Sequence, residues 1–159
     1  MSDALETKIV RRLTDRKQTL AVAESCTGGY ISHRITNVPG ASVVFLSGLV
    51  TYSNAAKQTF LGVRAETLER QGAVSEPVAR EMAEGARRAS GTDYAIAVTG
   101  IAGPSGGSPE KPVGTVFIAV ATPTETKVLR FFNPGDRLAF KETTARQALE
   151  LLAAALGLD

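Results

Sequence analysis

The stretch Ala23-Glu24-Ser25-Cys26-Thr27-Gly28-Gly29 follows the apolar run Thr19-Leu20-Ala21-Val22 and leads into Tyr30-Ile31-Ser32-His33-Arg34-Ile35. That order predicts a strand, a tight turn and a helix. In such a turn the hydroxyls of Ser25 and Thr27 stand beside the amides of Cys26, Thr27, Gly28 and Gly29, and the two glycines let a ligand approach the backbone. The unpaired N–H groups and positive end of the next helix add an anion or oxyanion site. A hydroxyl beside such a site suits acyl transfer. It equally suits a helix cap, and these residues alone leave both readings open.

A serine nucleophile needs a base. His33 is the single histidine. It sits about two turns beyond Ser25 on a helix leading away, so no Ser-His-Asp triad is expected and His33 reads as a surface or boundary residue. Lysine can serve where burial or a nearby cation lowers its pKa. Lys57 falls in the first turns of a helix after a second strand, where the positive helix end disfavours its proton. Tyr52, at the end of that strand, can share the proton or donate a hydrogen bond. A solvated helix lysine is the other reading of Lys57. Cys26 reads either as a thiol activated by the helix dipole or as a packed small residue.

Thr99-Gly100-Ile101-Ala102-Gly103-Pro104-Ser105-Gly106-Gly107-Ser108-Pro109 is the richest glycine stretch. Bare amides there suit a phosphate or nucleotide. The stretch lacks the spacing of the dinucleotide fingerprint, and the chain has no Gly-Lys-Ser/Thr of a phosphate-binding P-loop. An ordinary surface loop has the same composition.

The elements that must position these groups are legible in the periodicity. Leu5, Ile9, Val10 and Leu13 predict an amphipathic helix over 3–15. A strand follows over 18–24, then the Gly28-Gly29 turn and a helix to about Ile35, stopped at Asn37-Val38-Pro39-Gly40. Residues 42–52 predict a strand bent or bulged near Gly48. Ser53 or Asn54 caps a short helix over 55–60 that stops at Gly62, and another short helix covers 65–70. Ser75 caps a helix reaching about Ser90, with Val78, Met82 and Ala86 inward. Tyr94 to Val98 reads as a central strand buried on both faces. Strands over 114–122 and 126–132 form a hairpin, and a final helix over 137–156 turns Leu138, Ala145, Leu149, Leu152 and Leu156 inward. Helices and strands alternate early, so the expected fold is α/β, with helices on both faces of a mixed, largely parallel sheet. Three strand ends, at 25–29, 52–57 and 99–107, carry small and polar residues. In open α/β sheets ligands bind beyond such carboxyl ends.

Composition narrows the function. A chain of 159 residues reads as one domain, 1–159, with 43% hydrophobic and 21% charged residues. The net charge of +2 and the absence of a basic stripe or aromatic platform argue against nucleic acid as a partner. The single cysteine excludes an internal disulfide and a multi-cysteine metal site, and no metal ligands are assigned. No apolar run is long enough to span a membrane. The N-terminal residues Met1-Ser2-Asp3-Ala4-Leu5-Glu6 lack the basic and apolar segments of a signal peptide, which gives a cytoplasmic expectation. Oligomeric state is left open, since Phe131 and Phe132 suit core and interface alike.

Five stretches together carry a resemblance: Ala23 to Gly29, Val50-Thr51-Tyr52-Ser53-Asn54-Ala55-Ala56-Lys57, Gly72-Ala73-Val74-Ser75-Glu76, Thr99 to Pro104, and Lys111-Pro112-Val113-Gly114-Thr115. In this order, over nearly the whole chain, they resemble the CinA C-terminal domain family, whose enzymatically defined members are nicotinamide-nucleotide amidohydrolases (PncC). The resemblance implies a three-layer α/β/α sandwich around a mixed sheet of about five strands. It also implies hydrolysis of nicotinamide mononucleotide (NMN) to nicotinate mononucleotide and ammonia in pyridine nucleotide salvage, without metal or cofactor. Ser25 matches the family's serine nucleophile, Lys57 its lysine base, and Tyr52 the tyrosine shortly before that lysine. On this footing Cys26, Thr27, Gly28 and Gly29 are expected to hold the oxyanion and Tyr52 to help pass a proton to the departing ammonia. Thr99, Gly100, Gly103, Gly106, Gly107 and Arg137 are the candidates for the ribose-phosphate end. Full-length CinA proteins carry a further N-terminal domain resembling molybdopterin-binding proteins, so this sequence is expected to be the stand-alone form. The alternative is a non-catalytic nucleotide-binding or regulatory domain. A DNA-associated role, suggested only by the family's competence and damage name, lacks the charge pattern.

Overall fold

The computed structural model describes residues 3–158; Met1, Ser2 and Asp159 lie outside the described residues, including the first two positions of the N-terminal reading. A five-stranded mixed sheet has the order β2-β1-β3-β4-β5, with β1 Leu20–Glu24, β2 Phe45–Val50, β3 Tyr94–Gly100, β4 Thr115–Ala121 and β5 Thr126–Phe132. β1 pairs in parallel with β2 and β3, while β3–β4 and β4–β5 are antiparallel. The carboxyl ends of β1, β2 and β3 therefore emerge at one edge.

Alternation along the central strands sets the two outer layers. Leu20, Val22, Ile96, Val98, Val116 and Ile118 face α1 (Leu5–Arg16), α2 (Tyr30–Thr36) and α6 (Arg137–Ala155). The opposite face carries Ala21, Ala23, Ala95, Ala97, Ala119 and Ala121 against α3 (Asn54–Leu61), α4 (Ala65–Gln71) and α5 (Glu76–Ser90). Small residues on that face let α5 lie close to the sheet, with Val78, Met82 and Ala86 buried as expected. Gly85 brings α3 equally close, because a Cβ there would stand 1.8 Å from the Leu61 carbonyl oxygen. α3 and its lysine are thus seated on α5.

Three helices begin on a side-chain cap. Ser53, not Asn54, caps α3 by accepting from the Ala56 amide, Ser75 caps α5, and Asp136 caps α6 by accepting from the Ala139 amide at 2.8 Å. Four details differ from expectation. Ala41–Val43 forms a short 3-10 turn, so the second strand starts only at Phe45; the bulge expected near Gly48 is present two residues earlier, where the register slips between Leu20 and Ala21, opposite Leu46. Gly48 pairs regularly with Val22; its reason is close approach, since a Cβ would come within 2.6 Å of the Ser32 hydroxyl. Leu138 is 59% exposed, because the first turn of α6 overhangs the strand ends, and Phe140 fills the inward position instead. Thr99 and Gly100, expected in a loop, complete β3 by pairing with Phe117 and Val116. Phe131 is half-buried against the core and Phe132 is exposed. Among the described residues no helix is long and apolar enough to cross a membrane.

Candidate active site

Parallel pairing continues past the end of β2, where the Thr51 amide donates to the Glu24 carbonyl at 2.8 Å. This one bond lays the segment leading to α3 beside the residue following β1. Lys57, in the first turn of α3 after that segment, reaches back along it. Its Nζ donates to Ser25 Oγ at 2.9 Å, to the Thr51 carbonyl at 2.7 Å and to the Tyr52 carbonyl at 3.3 Å. Lys57 is 1% exposed and Ser25 8%. Neither the solvated lysine nor a serine that merely caps its helix describes this pair.

Among the described residues no carboxylate touches the Lys57 amine; its three acceptors are neutral oxygens. Burial pushes its pKa below the ordinary lysine value, opposed by the neighbouring Cys26 sulfur, whose negative form would favour the ammonium. Cys26 is itself buried, which pushes its thiol up to about 12. The protonated thiol is a packed small residue and not a nucleophile.

Glu24 is the residue the sequence reading missed. The carboxylate is 0% exposed and holds four donors: Oε1 accepts from Thr27 Oγ1 (2.7 Å) and the Ile31 amide (3.0 Å), Oε2 from the Ser32 amide (3.0 Å) and Ser32 Oγ (2.6 Å). The amino end of α2 is therefore filled by the protein's own anion, not open to a ligand. This corrects the expectation that the whole helix start is an anion site. The Gly28 amide is also committed, donating to the Ser25 carbonyl at 3.1 Å, and the Thr27 side chain points inward to Glu24. Of the four residues expected to hold an oxyanion, Cys26, Thr27 and Gly29 have amides that make no backbone hydrogen bond among the described residues. The signal for Glu24 was a carboxylate ending an otherwise apolar strand.

Tyr52 enters through its carbonyl, since its hydroxyl accepts from Arg137 Nη2 at 2.7 Å and makes no hydrogen bond with Ser25 or Lys57. The proton-passing role expected of Tyr52 has no hydrogen-bonded path in this arrangement. Arg137 Nη1 donates to the Gly103 carbonyl at 2.7 Å, so this arginine ties the loops after β2 and β3 to the start of α6. Thr99 Oγ1 donates to the Ala73 carbonyl at 2.8 Å, and Lys111 Nζ to the Gln71 carbonyl at 2.8 Å. Two of the five shared stretches thus act by holding the segment between α4 and α5. Gly100, Gly103 and Gly107 are crowded: a Cβ on each would come within 3.0 Å of Val113, Thr115 or Val116 atoms. Gly106 and Gly107 lie exposed on the loop beyond. The three strand ends do converge, but the third contributes the Gly103 carbonyl and packing rather than an open cradle of amides. His33 is exposed, as expected. Among the described residues no three His, Cys, Asp or Glu side chains stand together in a metal-holding group. A surface concavity of about 490 Å³, lined by Glu84, Arg87, Thr122 and Thr126, lies at the other edge of the sheet and holds no such pair.

The sequence profile of the CinA C-terminal domain matches residues 2–156. A CinA-like protein of Anaeromyxobacter dehalogenans is 53% identical over 154 residues, 97% of this chain and 38% of that protein. One from Thermotoga maritima is 52% identical over 150 residues, covering 94% and 36%. The chain thus spans less than two-fifths of these relatives' length. Among solved structures, the competence damage-inducible protein A (ComA) of Klebsiella pneumoniae superposes with a TM-score of 0.93 at 38% identity, covering 96% of this chain and 95% of that one. The competence/damage inducible protein CihA of Agrobacterium tumefaciens gives 0.90 at 44% identity, covering 96% and 93%.

Proposed function

The chain belongs to the CinA C-terminal domain family, and from that premise we propose that it is an amidohydrolase converting nicotinamide mononucleotide to nicotinate mononucleotide and ammonia. The observation that carries this reading is the 2.9 Å contact between a buried lysine amine without a carboxylate partner and a serine hydroxyl at a strand end.

Lys57, in its neutral form, takes the Ser25 proton as Oγ bonds to the amide carbon. The oxyanion so formed is held by amides of the turn, those of Cys26, Thr27 and Gly29 being uncommitted. Lys57 then returns the proton to the amide nitrogen as the C–N bond breaks, releasing ammonia and leaving an ester on Ser25. Water adds to that ester, gives a proton to Lys57, and the acid departs as Ser25 regains its hydrogen. Thr51 and Tyr52 carbonyls hold the amine through the cycle, so no proton needs to travel through the Tyr52 hydroxyl. Arg137, with Gly103, stands at the end assigned to the ribose phosphate. The reaction is one of pyridine nucleotide salvage, and the expected compartment is the cytoplasm.

Incubating purified protein with NMN, while following ammonia and nicotinate mononucleotide, tests the proposal. Equimolar appearance of both is expected. Thermal stabilisation by NMN with neither product would overturn it in favour of a nucleotide-binding regulatory domain.

A further inference from the structure

Lys141 lies one helical turn after Arg137 on α6, so the two cations share a face. A Cβ placed on Gly28 would stand 3.6 Å from Lys141 Nζ, which puts this ammonium directly over the turn that follows Ser25. Lys141 is half-buried, and its amine makes no hydrogen bond or ion pair with any described residue. The amine therefore stands at the turn uncommitted. Arg137 differs, because both of its terminal nitrogens already hold loop groups, the Gly103 carbonyl and the Tyr52 hydroxyl. Glu142, the next residue, makes no ion pair with Lys141, and Asp136 has one carboxylate oxygen engaged in capping α6. The Gly28 amide bonds the Ser25 carbonyl at 3.1 Å, closing a β-turn whose end Cα atoms lie within about 7 Å. The glycine at 28, in the left-handed region at φ +58, leaves the approach between Lys141 and the turn clear of any side chain.

We infer that Lys141 is a specificity-determining residue: its ammonium, beside the Gly28 turn and one helical turn from Arg137, receives the phosphate of the substrate and makes the site select a mononucleotide over the corresponding nucleoside. This rests on the amidohydrolase reading above for the identity of the reacting group. A dianionic phosphate gains a charge-assisted hydrogen bond there, whereas a riboside places a neutral hydroxyl at the same point.

The test compares wild type with Lys141→Met and Lys141→Arg, each assayed for ammonia release from NMN and from nicotinamide riboside. Loss of one charge-assisted hydrogen bond should lower the mononucleotide preference, the ratio of the two kcat/KM values, by about ten- to a hundred-fold in Lys141→Met, chiefly through KM. Lys141→Arg should restore most of that preference. A preference left intact in Lys141→Met, with both substrates falling together or neither changing, overturns the inference. Thermal shifts by NMN and by the riboside on the same three proteins read the subsite without turnover. If wild type hydrolyses neither compound, the amidohydrolase reading falls, yet a thermal shift by NMN that Lys141→Met abolishes and Lys141→Arg keeps still supports the phosphate contact. Equal shifts in all three refute it.

Discussion

Lys57 Nζ and Ser25 Oγ, 32 residues apart in the chain, meet at 2.9 Å because the Thr51 amide bonds the Glu24 carbonyl just beneath them. The lysine is held by neutral oxygens in a site almost closed to water, so its base form is accessible at a lower pH than for a free lysine. The consequences of that arrangement are measurable.

The pH–rate profile should show it. Lys57 must be neutral to accept the Ser25 proton, so kcat/KM for NMN should rise with pH along a limb whose midpoint lies below the ordinary lysine value of 10.5. The stability sign follows from the same shift. A lysine whose pKa falls on folding binds more protons unfolded than folded, so stability rises with pH between its folded pKa and 10.5. Below that window the penalty on the folded state is fully present. Lys57→Met should remove this rise in urea titrations run across the window, and an unchanged slope would contradict the assignment.

Removing the Glu24 carboxylate should destabilise the turn that carries the nucleophile. Glu24→Ala leaves the Ile31 and Ser32 amides and two hydroxyls without their acceptor at a position of 0% exposure. The expected loss is about 2–5 kcal/mol in chemical denaturation. A loss below about 1 kcal/mol would mean that water replaces the carboxylate with little difficulty.

Gly85 carries a long-range effect on the site. A methyl group there meets the Leu61 carbonyl oxygen, so Gly85→Ala must push α3 away from α5. Stability should fall by about 1–3 kcal/mol, and ammonia release should fall with it because α3 carries Lys57. Full activity in a destabilised Gly85→Ala protein would uncouple α3 seating from Lys57 placement.

Tyr52→Phe separates the tyrosine's two parts. The variant keeps the carbonyl that accepts from Lys57 and loses only the hydroxyl held by Arg137. The expected fall in kcat is about ten-fold or less, far short of the loss from Lys57→Ala, and the Tyr52→Phe and Arg137→Ala effects should be non-additive because the two groups touch. A fall in Tyr52→Phe as large as that in Lys57→Ala would return the hydroxyl to the proton path.

Most of the architecture was legible because it follows from local rules. The apolar runs at 20–23 and 94–98 became central strands, and Ser53 and Ser75 cap helices as their positions imply. Ser25 and Lys57 were legible as types of group, but their meeting was not, since it depends on which strands become neighbours. Where the reading failed, a tertiary contact outweighed a local preference. Gly48 looked like a bulge and is a seat for Ser32. The amides after Gly29 looked open, and Glu24 fills them. Lys141 gave no signal at all, because its significance comes from Gly28, 113 positions earlier.

Ammonia release from NMN by Ser25→Ala and Lys57→Ala, measured beside wild type with each protein's fold verified, bears most directly on the paired roles of these two residues. Each variant should lose on the order of a thousand-fold or more in kcat, and the double variant should be little worse than either, as expected of groups acting as a unit. Near-normal release by either single variant would show that this serine and this lysine, however close, are not the machinery of the reaction.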